Sequence, residues 1–175
     1  VKQVRERDVP FLKTVFFNLT PAVSDGYYEQ RFEVIERVVV RLYAIGEFSS
    51  FGDSGNDYGW IARGDSIIWD MSPANTVDAG GGLQNRKAMR EVILEPGDYS
   101  AHFVCDGSHA PSSWVTEPPW DPEFWGLSLL VDSALRESVK RVSGDPAGQH
   151  LISYTGLGNN QYRTAGISLE HAAEL

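Results

Sequence analysis

The stretch from Glu95 to Leu130, EPGDYSAHFVCDGSHAPSSWVTEPPWDPEFWGLSLL, restricts this chain's fold more than any other. It holds three of the five tryptophans and five of the nine prolines. Proline fixes φ and lacks a backbone donor, so the run Pro111, Trp114, Pro118, Pro119, Trp120, Pro122, Trp125 is neither helix nor central strand. Before it, Pro96-Gly97 is a turn dipeptide, and the alternation over 98–105 predicts a strand. Tyr99, Ala101, Phe103 and Cys105 then face a core, and Ser100, His102 and Val104 face outward. The strand delivers Asp106-Gly107-Ser108-His109 as a loop. Gly126 to Val131, with Leu127, Leu129 and Val131 on one side, returns the chain to a sheet. Leaving so many rings in water would forfeit roughly 25 cal/mol per Å² of apolar area, so the excursion is expected to pack on that sheet.

The rest of the chain reads the same way. Strands are expected over 11–17, 27–34, 37–45, 58–62, 67–71 and 89–94. The fourth and fifth flank Arg63-Gly64-Asp65, which reads as a hairpin turn and not as an adhesion motif. Gly80-Gly81-Gly82 has no following Lys-Ser/Thr or apolar helix, which makes it a flexible connector and not a phosphate cradle. One short helix is expected near 132–142, from the spacing of Ala134, Leu135, Val139 and Val142. Many short strands and one helix give an all-β fold, an antiparallel β-sandwich with jelly-roll-like form. The expected organisation is a β-sandwich domain over 1–131, a helix and linker over 132–149, and terminal strands over 150–175. That tail weakly echoes the head, as Tyr162 followed by 167–170 echoes Tyr28 followed by 32–35. It therefore reads as the start of a second repeat or as strands packed on the first sheet.

A net charge of −9 argues against nucleic acid, whose binders need a basic footprint. No apolar run is long enough to span a membrane. The single cysteine, Cys105, lies on the inward side of its strand and reads as a small buried hydrophobe.

The block L-x-P-G-x-Y, then D-G-S-H, then P-P-x-D-P-x-x-W-G, together with Gly46-Glu47 and Asp57-Tyr58-Gly59-Trp60, resembles β-sandwich accessory domains of exported bacterial proteins. These are similar in outline to pre-peptidase C-terminal domains. The resemblance covers about 11–131. It implies a periplasmic or extracellular, non-catalytic domain that accompanies catalytic or scaffold modules.

The residues themselves allow several chemistries. Asp106, Ser108 and His109 invite a serine-hydrolase reading, but neighbours in one turn rarely form a triad, and no Gly-x-Ser-x-Gly is present. The expectation is that Asp106 and Ser108 brace the loop and His109 packs on Trp114, so no catalytic residue is assigned. Asp53, Asn56 and Asp57 offer oxygen ligands suited to calcium, though without EF-hand spacing. No other cofactor is expected, and the four histidines, His102, His109, His150 and His171, are too scattered for zinc. Trp125 and Trp60 are assigned to the core. Trp114, Trp120, His109, Asp106 and Tyr58 are the candidate partner- or ligand-binding residues, since rigid aromatics dominate interfaces. The leading expectation is an interaction or scaffold subunit that docks to a protein partner or larger complex through its aromatic loop and edge strands. The alternative is a carbohydrate-binding module, with calcium as an aid.

Overall fold

A computed structural model describes residues 15–49, 55–111 and 113–142. The expected terminal strands over 150–175, with their echo of the head, and Asp53 of the calcium set lie outside these residues.

Ten strands are present among the described residues: β1 (Val15–Leu19), β2 (Gly26–Val34), β3 (Val38–Phe48), β4 (Gly55–Arg63), β5 (Ser66–Asp70), β6 (Val77–Asp78), β7 (Asn85–Leu94), β8 (Gly97–Cys105), β9 (Gly126–Val131) and β10 (Val139–Arg141). All pair antiparallel, in one continuous sheet that forms two layers. One layer runs β6-β7-β3-β9-β1 and the other β5-β4-β8-β2-β10. They join at a corner where the end of β3 meets the start of β4, through Glu47↔Asp57 and Phe48↔Gly55. The all-β, sandwich-like architecture is thus the one the strand periodicity leads to.

Alternation places the core between the layers. Val38, Val40, Leu42 and Ala44 of β3 are buried, while Val39 between the first two is exposed. On β8, Tyr99, Ala101, Phe103 and Cys105 are buried, as expected for the inward set. Phe16 and Phe17 from one layer meet Phe32 from the other, and Phe32 stacks on Tyr99. Rings of this size each remove on the order of 150–250 Å² from water, so these contacts dominate the adhesion of the layers.

Three expectations need correction. The short helix expected near 132–142 is present as a 3-10 helix limited to Ser133–Ser138, capped by the Asp132 carboxylate, which accepts from the Ala134 N–H. It is followed by β10, which pairs with β2 and buries Val139, so the sandwich body reaches Arg141. Gly80-Gly81-Gly82 is a close-packed turn. Gly80 and Gly81 have φ of +80° and +72°, and a Cβ on Gly81 would sit 2.1 Å from the Pro118 carbonyl oxygen. Trp60 is not in the core, because it stands on the outward side of β4 with Tyr58 and Ala62, while Asp57, Gly59 and Ile61 point inward.

The aromatic excursion folds back over this framework. Trp125 is completely buried and bridges to Ile45, while Trp120 N–H donates to the Ala79 carbonyl and Gly82 N–H to that of Glu117. Tyr43 receives Phe124 edge-on, with ring centroids 5.6 Å apart. Proline-rich chain that cannot join a ladder is held instead by scattered main-chain bonds and ring packing.

Candidate functional site

Two constellations of polar and aromatic side chains stand out, one inside the closed end of the sandwich and one on its outer surface.

The first centres on Asp57, which is fully buried beside the corner between the layers. Its Oδ1 accepts from the Asp106 N–H at 2.7 Å. Its Oδ2 accepts from Trp125 Nε1 at 3.0 Å and from the Cys105 thiol at 3.1 Å. Glu47 and Asp106 complete a triangle in which one carboxylate oxygen of each residue lies within 4.8 Å of the others. Burial pushes Asp57 up to about 7, against the opposing pull of the Asp106 N–H and the Cys105 thiol. Burial, and then the Asp106 charge, also raise Glu47. Two like charges at this spacing repel by on the order of 3 kcal/mol at an effective dielectric of 20, so the cluster needs a proton or a cation.

Next to it lies a buried polar relay that fixes the tautomer and orientation of His109. Asn85 Nδ2 donates to the carbonyls of Gly80 and Glu117, which leaves Oδ1 as the acceptor. His109 Nε2 therefore carries the proton it shares with Asn85 Oδ1 at 2.8 Å, and Nδ1 accepts from the Val115 N–H at 3.3 Å. Both ring nitrogens are engaged and the ring is neutral, in keeping with a pKa lowered by burial. Ser108 Oγ bonds Asp106 Oδ1 at 2.7 Å, and Ser108 N–H bonds the same oxygen at 2.8 Å. Serine and histidine thus face different partners. Asp106 and Ser108 brace the turn, and His109 meets Trp114 edge-on at 4.8 Å.

The second constellation occupies the outward side of β2, β8 and β4. Register puts Tyr27, Val104 and Tyr58 in one row and Glu29, His102, Trp60 and, across β5, Asp70 in the next. His102 stacks on Trp60 with centroids 4.7 Å apart and planes 11° apart. Tyr58 and Tyr27 flank Trp60 at 5.6 and 6.3 Å. The polar atoms are chained together. The Tyr27 hydroxyl lies 2.7 Å from His102 Nδ1, and His102 Nε2 lies 2.7 Å from Ser100 Oγ. Glu29 accepts from Arg31 Nε at 2.9 Å. Burial and then the Glu29 charge push Tyr27 up to about 12, and burial lowers His102. Both groups are uncharged at neutral pH, so the patch offers aromatic faces with neutral donors and acceptors, rimmed by Glu29, Arg31 and Asp70.

The residues singled out in the sequence divide between these places. Asp106 and His109 belong to the buried end, and Tyr58 belongs to the outer face. Trp114 packs edge-on against Trp125 and His109. Trp120 is 43 % exposed, yet its ring covers Gly80 and lies under the Lys87 ammonium. Of the calcium set, Asp57 is in the carboxylate triangle, and Asn56 hydrogen-bonds Glu47 from beside it. Sequence reasoning missed Glu47, Asn85, Tyr27, Glu29 and Trp60 as site residues. The outward alternation of Tyr58, Trp60 and Ala62 was the one available signal. No protein-family model, curated protein or solved structure matches the chain.

Proposed function

We propose that this domain is a non-catalytic recognition module of the extracytoplasmic space, and that it holds a glycan on the outer face of the β5-β4-β8-β2-β10 layer. The observation that carries this reading is the file of Tyr27, Tyr58, Trp60 and His102 along adjacent strands, bordered by Glu29, Arg31 and Asp70. Sugars present apolar C–H faces and a rim of hydroxyls, and they match rigid rings next to carboxylates and guanidinium groups. His102 covers one face of Trp60, so a pyranose would lie on the opposite face, toward Asp70 on β5. Anchoring the rings on strands lowers the ordering cost of binding. The non-catalytic reading is supported by the bonds that tie Ser108 to Asp106 and His109 to Asn85 and Val115. The extracytoplasmic setting rests on the resemblance of the DGSH and PPxDPxxWG blocks to accessory domains of exported proteins.

Retention on affinity gels containing plant, fungal or bacterial polysaccharides tests this reading. Trp60→Ala is expected to weaken retention by more than about tenfold, as loss of an interfacial aromatic anchor does. Trp120→Ala is expected to leave it intact. Retention that survives Trp60→Ala and is lost in Trp120→Ala would move recognition to the proline-rich excursion.

A protein partner is the second reading, favoured by the opposite layer. Val39 and Ile93 are register partners, 44 % and 52 % exposed, and Met89 and Val77 are exposed nearby. Exposed apolar side chains on either side of the Arg41–Glu91 ion pair make the kind of surface that docks on another protein. Replacing Val39 and Ile93 by glutamate should abolish recovery of a complex from cell-envelope extracts while sparing polysaccharide retention. A complex recovered equally well would remove this reading.

A further inference from the structure

The geometry points to a calcium site formed by Glu47, Asp57 and Asp106 at the corner where β3 passes into β4. Three acidic residues alone do not make a site, and the deciding observation is Glu47. Glu47 is 7 % exposed, and its Oε2 is buried with no hydrogen-bond partner among the described residues. A buried carboxylate oxygen with no donor is costly, and a coordinated cation supplies what it lacks. The neighbouring charges make a cation the fitting partner, since the charges acting on Glu47 and Asp57 come from acids.

The three carboxylates are also held in place for coordination. Asp57 is oriented by the Asp106 N–H, Trp125 Nε1 and the Cys105 thiol. Ser108 holds Asp106 through Oδ1, and one oxygen of that carboxylate lies within the cluster. Asp106 is half-buried where Glu47 and Asp57 are buried, so it forms the mouth by which an ion enters. Ligands at 2.3–2.6 Å from calcium can stand at most about 5 Å apart across the shell, whereas those of magnesium at 2.0–2.1 Å reach about 4.2 Å. The three oxygens lie within 4.8 Å of one another, inside the span of a calcium shell. An all-oxygen donor set disfavours zinc and copper.

Trp125, bonded to Asp57, provides an optical reporter. The test uses the full 175-residue chain stripped with a chelator, titrated with calcium chloride and followed by tryptophan emission, calorimetry and thermal melting. Terbium serves as a luminescent probe excited through Trp125. The expected result is saturable binding to a single site, a raised Tm, and terbium emission that calcium displaces. Glu47→Gln and Asp106→Asn should each weaken calcium affinity by at least about tenfold. Should Glu47→Gln fail to fold, Asp106→Asn at the half-buried mouth decides the matter. No saturable response up to millimolar calcium would overturn the proposal and leave a shared proton as the means of neutralising the cluster. Asp106→Asn binding calcium as tightly as the unaltered chain would overturn it as well.

Discussion

Asn85 spends every polar atom of its side chain holding other segments: Nδ2 on the carbonyls of Gly80 and Glu117, Oδ1 on His109. Replacing it with leucine would strand two buried groups, the Gly80 carbonyl and His109 Nε2, and remove one of the two donors to the Glu117 carbonyl. The expected loss is about 2–4 kcal/mol of stability, read as a lower urea midpoint at unchanged slope. The two buried histidines make stability depend on pH with a definite sign. Burial lowers both His102 and His109, so each binds a proton more readily in the unfolded chain. Their contribution is flat above the ordinary histidine value of about 6.5 and turns destabilising as pH falls below it. Asp57, raised by burial, works in the opposite sense between its unfolded value and about 7. The histidine term is therefore isolated by difference: urea midpoints between pH 7.5 and 5 should fall less steeply in His102→Gln than in the unaltered chain. Cys105 is buried, and burial raises its thiol pKa, so it should resist iodoacetamide when folded and react once urea is added. The inward place of Cys105 was legible in the alternation of β8. The outward place of Trp60 was harder to read, because the inward positions of β4 are held by Asp57, Gly59 and Ile61, an acid and a glycine that disguise the period.

Among the elements, the proline-rich excursion depends on how closely the glycine turn approaches it. A Cβ at Gly81 would meet the carbonyl oxygens of Pro118 and Glu117 at 2.1 and 2.4 Å, from a backbone already at positive φ. Gly81→Ala should destabilise the fold by about 1–3 kcal/mol and open the 111–125 segment to limited proteolysis, detected by mass spectrometry of the first cleavage products. The glycine triplet was legible as a turn but not as a clasp, because its role is set by Pro118, far along the chain. The same limit applies near the end of the described residues. Ala134, Leu135, Val139 and Val142 have helical spacing, yet the register Val139↔Val34 recruits the last part of that segment into a strand. Non-local pairing overrides a short local preference.

For the molecule as a whole, local alternation and turn chemistry sufficed to indicate an all-β sandwich, because each layer buries one side of most of its strands. What joins the layers was not legible. The corner brings Glu47, Asp57 and Asp106 together, and register alone sets Tyr27 and Trp60 on one outward surface from strands more than two dozen residues apart in the chain. On this account the interior of the closed end is structural and the ring-lined outer face is where recognition occurs. The most direct test is an amide and side-chain NMR titration of the isotopically labelled chain with the polysaccharide fragment best retained on the gels. Shift changes confined to Tyr27, Glu29, Tyr58, Trp60, Asp70 and His102, and absent in Trp60→Ala, are the predicted result. Changes centred on Trp114 and Trp120, with the outer face silent, would contradict it.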